Sequence, residues 1–273
     1  MTSRFHRLHV PGDPFILPCA WDVASGQLFA EAGHPAIGTT SLGVAAGIGA
    51  RDEDRDTREA MVGLMRSLRR ALPEALLSCD FEDGYADDPQ EVVEILRSAF
   101  TADDPAGPPG RHGLIVDGIN IEDSSGGHLD APEVLAAKVG AISQALPDLF
   151  INARIDTFWL GRDHLGEVIE RIDAYARAGA DGIFVPGTHD QARIAAIVEA
   201  SPLPVNVLAG PALSRSGLAE AGVARISTGS LLHRSALSAA VQSLAVLDDD
   251  RPAEAAGVLS YRAVADLGGQ SSS

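Results

Sequence analysis

Residues 76–85 read Leu76-Leu77-Ser78-Cys79-Asp80-Phe81-Glu82-Asp83-Gly84-Tyr85, an apolar approach that ends in three acids and a glycine. As a strand over 76–82, the two-residue period puts Asp80 and Glu82 on one face and turns Cys79 to the other, into the layer between strands and helices. Two further stretches end alike. Ile119-Asn120-Ile121-Glu122-Asp123 sets Asn120 and Glu122 on a shared face, and Leu149-Phe150-Ile151-Asn152-Ala153-Arg154-Ile155-Asp156 points Asn152, Arg154 and Asp156 together. Inward charge at the ends of three strands has to be neutralised, because a buried charge without a partner is costly. A divalent cation with oxygen ligands, beside an anionic substrate held by Arg154, would neutralise it.

Outward from these stretches the chain alternates strand and helix. Strands are expected at 15–20, 35–41, 183–186, 204–209 and 224–228, making eight in all. Helices are expected at 22–32, 52–72, 89–100, 132–146, 165–178, 190–200, near Leu218, and at 231–247. Asp88, Pro89 and Glu91 form an N-cap, a first helical position and a capping box, and Asp130 caps the next helix together with Glu133. Asp83 and Asp123 face outward by alternation and read as helix caps. Residues 1–14 read as an irregular arm, 42–50 as a glycine-rich turn, and 101–113 as a surface loop. Residues 248–273 form a tail with a helical stretch at 253–267, packed on the body or on a neighbouring subunit.

A weak repeat, Ala-Gly-x-x-x-Ile, recurs at 32–37, 178–183 and 221–226, each time where a helix ends on glycine and the chain turns into an apolar strand. Eight such units close a parallel sheet, so the expected fold is a single-domain α/β protein, a (β/α)8 TIM barrel spanning 1–273. An open doubly wound sheet would carry a glycine-rich phosphate loop after its first strand, and Cys19-Ala20-Trp21-Asp22 is not one.

Composition narrows the function. The 273 residues carry a net charge of −17, which speaks against nucleic acid as a partner. No apolar run is long enough to span a membrane and no signal peptide is legible, so the expected location is cytoplasmic. Cys19 and Cys79 read as buried thiols rather than a disulfide framework. In a barrel the strand ends carry the chemistry, and Asp80, Glu82 and Glu122 converge there as candidate metal acids. Oxygen donors without a Cys/His cluster favour Mg²⁺ or Mn²⁺ over Zn²⁺. His189 sits between Thr188 and Asp190, which look like capping residues, and His34 and His233 fall on helix-side positions.

The segments Asp80-x-Glu82-x-Gly84-Tyr85, Ile121-Glu122-Asp123, Asn152-Ala153-Arg154-x-Asp156 and Thr39-Thr40-Ser41-Leu42-Gly43-Val44-Ala45 resemble the signature segments of the isocitrate lyase/phosphoenolpyruvate mutase superfamily, in order and in spacing. The resemblance covers roughly residues 15–245. It implies a Mg²⁺-dependent barrel enzyme acting on 2-oxo or 2-hydroxy carboxylates through an enolate-like intermediate, and a homo-oligomer, dimer or tetramer, with the last barrel helix exchanged between subunits. It further implies Asp80 as direct metal ligand, and Glu82 and Glu122 as acids holding metal-bound water. Asp52 resembles another such acid and reads equally well as a favourable charge at a helix N-terminus. The backbone N–H groups of Thr40 and Ser41 resemble donors to the substrate carboxylate, and Arg154 the arginine that grips carboxylate and enolate oxygens. Trp21 and Tyr85 follow strands and could line the pocket.

The lid segment departs from the pattern. Where the lyases carry Lys-Lys/Arg-Cys-Gly-His and the mutases Lys and Asn, this chain has Ser124-Ser125-Gly126-Gly127-His128-Leu129. His128 is then the replacement acid or base, since imidazole titrates near neutrality. The expected activity is a Mg²⁺-dependent lyase cleaving a C–C bond of a small carboxylate. The alternatives are a P–C enzyme of the phosphonopyruvate hydrolase or mutase kind, and a barrel that only binds a metabolite.

Overall fold

The structure is a computed structural model that describes residues 3–52, 55–101, 113–248 and 258–267. Two short strands, β1 (Phe15–Leu17) and β2 (Cys19–Ala20), are halves of one rung broken at Pro18, which has no N–H to give to a ladder. They lead through α1 (Val23–Glu31), β3 (Ala36–Thr39), α2 (Ser41–Ile48) and α3 (Arg58–Ala71) to β4 (Leu76–Asp80), α4 (Pro89–Ala99) and β5 (Gly118–Glu122). A small hairpin follows, β6 (Ser124–Ser125) and β7 (His128–Leu129), then α5 (Pro132–Ala145), β8 (Phe150–Arg154), α6 (Leu165–Ala178), β9 (Gly182–Phe184) and α7 (Gln191–Ala200). The remaining elements are β10 (Val205–Leu208), α8 (Arg215–Glu220), β11 (Arg225–Ser227), α9 (Leu231–Asp248) and α10 (Tyr261–Leu267).

The sheet runs β1-β11-β10-β9-β8-β5-β4-β3-β2, and every pairing in it is parallel. Because β1 and β2 are one rung, the order returns to its start: the fold is a (β/α)8 TIM barrel, as the alternation of elements required. The repeat glycines Gly33, Gly179 and Gly222 all have positive φ (87°, 103° and 83°), the left-handed turn by which a helix gives way to the next strand. Apolar side chains on the outer strand faces, among them Leu77, Cys79, Ile119, Ile151 and Ile183, pack under the helices as one core.

Several local expectations give way. Residues 42–50 are no turn: most of them form α2, with only Gly49 left-handed (φ 71°) as its C-cap. Gly43 is there for packing, since a Cβ would come 2.8 Å from Thr40 Cγ2 and from Trp21 Cβ. The arm folds into a turn at His6–Leu8, and Phe5 joins Phe15, Leu17, Leu76 and Phe150 to plug the barrel's lower end. His9 stacks on Phe150 at 3.9 Å, and burial, with Arg225 adding to it, pushes its pKa down to about 3. Asp88 caps α4, but Asp130 does not cap α5, whose N-cap is Ala131 with no side-chain bond. The tail helix is confined to Tyr261–Leu267, residues 253–257 of the expected stretch and 102–112 of the expected loop lying outside the described residues. Among the described residues no helix is long and apolar enough to cross a membrane.

Candidate active site at the carboxyl ends of the strands

β4 ends at Asp80, whose carboxylate Oδ2 accepts from the Ser41 backbone N–H (3.0 Å). Parallel register brings Asp80 beside Asn120, Asn120 beside Asn152, and Glu122 beside Arg154. Arg154 rises from β8 between two acids, with Nη1 2.5 Å from Glu122 Oε2 and Nε donating to Asp156 Oδ1 at 2.7 Å. Its guanidinium also lies 5.6 Å from the Trp159 ring centre. Burial pulls the Arg154 pKa down, but Asp156, Glu122 and Asp80 together hold it above the ordinary arginine value. The guanidinium is thus a fixed cation over a cavity lined by Cys19, Asp52, Asp80, Asn120, Trp159 and Ser227, and by Thr40, Ser41 and Leu42 at the start of α2.

Glu82 is placed differently from the strand reading. Past Asp80 the chain leaves the extended conformation, with positive φ at Glu82 (46°), Gly84 (96°) and Tyr85 (61°), so alternation no longer decides direction. Glu82 is 2% exposed, its carboxylate accepts from the Thr57 hydroxyl and from Tyr85 OH (3.3 Å), and Oε2 has no partner among the described residues. Burial pushes its pKa up to about 7, to which the negative charges of Asp80 and Asp52 contribute. Tyr85 accordingly packs behind the site. Two left-handed non-glycine residues within one turn store strain where the acids gather.

The acids read as outward helix caps are anchors. Asp123 accepts from the Asp156 backbone N–H (2.8 Å), Tyr175 OH (2.7 Å) and Arg171 Nη1 (2.9 Å), and burial raises its pKa to about 6. Asp83 pairs with Arg55 and lies 3.7 Å from Lys138 Nζ. Through Asp123 and Asp156 the helix α6 fixes the strand end that carries Arg154.

The remaining expected residues divide. Asp52, Asp80, Arg154, Thr40 and Ser41 line the cavity, while Glu82 and Glu122 stand behind that lining. The Thr40 N–H is spent on Ala20 O (3.2 Å) and the Ser41 N–H on Asp80, so neither is open to a ligand in this arrangement. Trp21 packs on Phe29 and His233 instead of the cavity, where Trp159 takes the place expected of it. His128 is exposed on β7 and outside the lining. Asp190 caps α7 and its N–H is held by Thr188, which leaves His189 packed beside Gly210. The sequence reading missed Trp159 and Arg225. The inward alternation of Arg225 with Ser227 in a strand was a signal available for the second.

A model of the phosphoenolpyruvate phosphomutase family matches residues 5–247. The chain belongs to that family. The phosphomutase family lies within the superfamily anticipated from the signature segments, whose members are enzymes. An uncharacterized Mycobacterium tuberculosis protein is 42% identical over 247 residues, covering 90% of this chain and 89% of its own. The 2-methylisocitrate lyase of Bacillus subtilis is 28% identical over 216 residues, 75% of this chain and 66% of that one. A phosphonopyruvate hydrolase solved with oxalate and Mg²⁺ superposes with a TM-score of 0.80 over 98% of this chain and 95% of its own, at 21% identity.

The residues of this family member fit a hard cation. Three mutually repelling carboxylates, Asp80, Glu82 and Asp52, lie close enough to raise the Glu82 pKa, and Glu82 Oε2 is buried without a partner. Among the described residues no three His, Cys, Asp or Glu side chains are close enough to ligate one ion together. An ion held there would take one or two of these carboxylates and otherwise water, the way Mg²⁺ is usually bound, rather than a closed set of protein ligands.

Proposed function

We propose that the chain is a Mg²⁺-dependent lyase that cleaves a C–C bond of a small 2-oxo or 2-hydroxy carboxylate through an enolate. The observation that carries this reading is the placement of one fixed cation, Arg154, and two carboxylates, Asp80 and Asp52, on the same cavity. Asp80 would hold the ion directly, with Glu82, Glu122 and Asp52 holding its water. When bound, Mg²⁺ supplies positive charge to the oxygen that becomes negative as the enolate forms. Arg154, oriented by Asp156 and Glu122, offers donors to the same oxygen and to the carboxylate. The first turn of α2 has N–H groups without partners inside the helix, and Leu42 there lines the cavity. Those groups take over the carboxylate-binding role expected of Thr40 and Ser41.

The match to a phosphomutase model favours a second reading, P–C chemistry. A transferring phosphoryl group needs several positive charges around it. Among the described residues Arg154 is the only cation in the cavity lining, and the hairpin Ser124–Leu129 adds no lysine or arginine. The test is product release with and without Mg²⁺ from a panel of C4–C7 hydroxy- and oxo-acids run beside phosphonopyruvate. Pyruvate or glyoxylate from the acids is the expected result. Phosphate from phosphonopyruvate alone transfers the assignment to the second reading, and no product from any compound removes both.

A further inference from the structure

Arg225 is the largest fully buried side chain described, 0% exposed, and it stands on the inner face of β11 in the middle of the barrel. Its Nε donates to Ser227 Oγ (2.9 Å) and its Nη2 to Asn120 Oδ1 (3.1 Å), while Nη1 has no hydrogen-bond partner among the described residues. Both acceptors are neutral, and among the described residues no carboxylate pairs with it. A guanidinium removed from water with no carboxylate in contact is costly, and the negative charge of Asp80, acting from a distance, offsets only part of that cost. Something else must compensate the charge.

The cavity lies directly above. Ser227 and Asn120, the two acceptors, both line it, as does Cys19. Asn120 Oδ1 also accepts from Asn152 Nδ2 (2.8 Å), so both of its bonds to the interior fall on the oxygen. Its amide N–H groups are left for the cavity side. Arg225 therefore acts upward in two ways: as a full charge one side chain below the floor, and by holding Asn120 with its donors toward the ligand.

We infer that Arg225 is the specificity-determining residue of this cavity, a fixed positive charge beneath the floor that selects doubly charged carboxylate ligands over singly charged ones of the same shape. The inference rests on the proposed reading that the cavity binds a small carboxylate. A unit charge one side-chain layer away, in a poorly solvated site, changes the affinity for each added ligand charge by about 10- to 100-fold.

Oxalate and oxamate test it, since they share a shape and differ by one charge. Calorimetric titration with Mg²⁺ present compares them on the wild-type chain, Arg225→Gln and Arg225→Lys. Wild type should bind oxalate at least about tenfold more tightly than oxamate. Arg225→Gln should lose most of that ratio while oxamate affinity changes little. Arg225→Lys keeps the charge but cannot make both hydrogen bonds, and should preserve the ratio. Equal weakening of both ligands in both variants would mean a structural role and overturn the inference. If circular dichroism shows Arg225→Gln unfolded, Arg225→Lys decides: a preserved ratio supports the role of charge, a collapsed one removes it. Failure of wild type to bind oxalate sinks the carboxylate site itself, whereas an unchanged ratio in folded Arg225→Gln sinks this inference alone.

Discussion

Burial lifts the Glu82 carboxyl from an ordinary 4.5 to about 7, so between those values the folded chain holds a proton that the unfolded chain has released. The group's stabilising contribution is complete below about pH 4.5 and is lost as pH rises through 7, a change on the order of 3 kcal/mol. Asp123, raised to about 6, acts with the same sign. Metal-free protein should therefore lose thermal stability from pH 5 to pH 8, and Glu82→Gln should flatten that slope, as read by Tm. An equal slope in the variant would mean that Glu82 is ionised in the folded chain throughout. Added Mg²⁺ should recover stability at pH 8 in wild type, because it compensates the carboxylate that proton loss leaves exposed to Asp80 and Asp52. The inward direction of Asp80 and Arg154 was legible from sequence because each sits within a strand, where a period of two decides direction. The direction of Glu82 was not legible, since its left-handed backbone is invisible to any periodicity.

Elements show the same division. α2 was hidden because Ser41-Leu42-Gly43-Val44-Ala45-Ala46-Gly47-Ile48 has the glycine content of a loop, and only the close approach of Trp21 and Thr40 explains Gly43. α9 was anticipated, but one of its faces is left uncovered by the described residues. Leu237, Val241, Leu244 and Leu247 are 53–66% exposed and recur at helical spacing. We propose that a second copy of this chain covers that face, in keeping with the expected exchange of the last barrel helix. Val241→Glu combined with Leu244→Glu should then reduce the sedimentation coefficient to that of a monomer with the barrel still folded. Wild-type protein that already sediments as a monomer at micromolar concentration would contradict it.

At the scale of the molecule, eight strand–helix units, glycine-terminated helices and apolar strands left one economical way to close the sheet, and the barrel follows from them. What periodicity could not supply is the interior. The barrel axis holds a plug of His9, Phe15 and Phe150 and, above it, Arg225 with Asn120, Asn152, Asn206 and Ser227. These contacts join residues as far apart in the chain as His9 and Phe150, and only closure brings them together. On the proposed reading, the barrel presents one face of that polar axis to a cation and an oxyacid. Crystals grown with Mn²⁺ and oxalate, read by anomalous diffraction, address this directly. One strong peak should stand at coordination distance from Asp80, about 2.1–2.2 Å, with oxalate between it and Arg154. A peak bonded elsewhere, or none with oxalate present in the cavity, would contradict it.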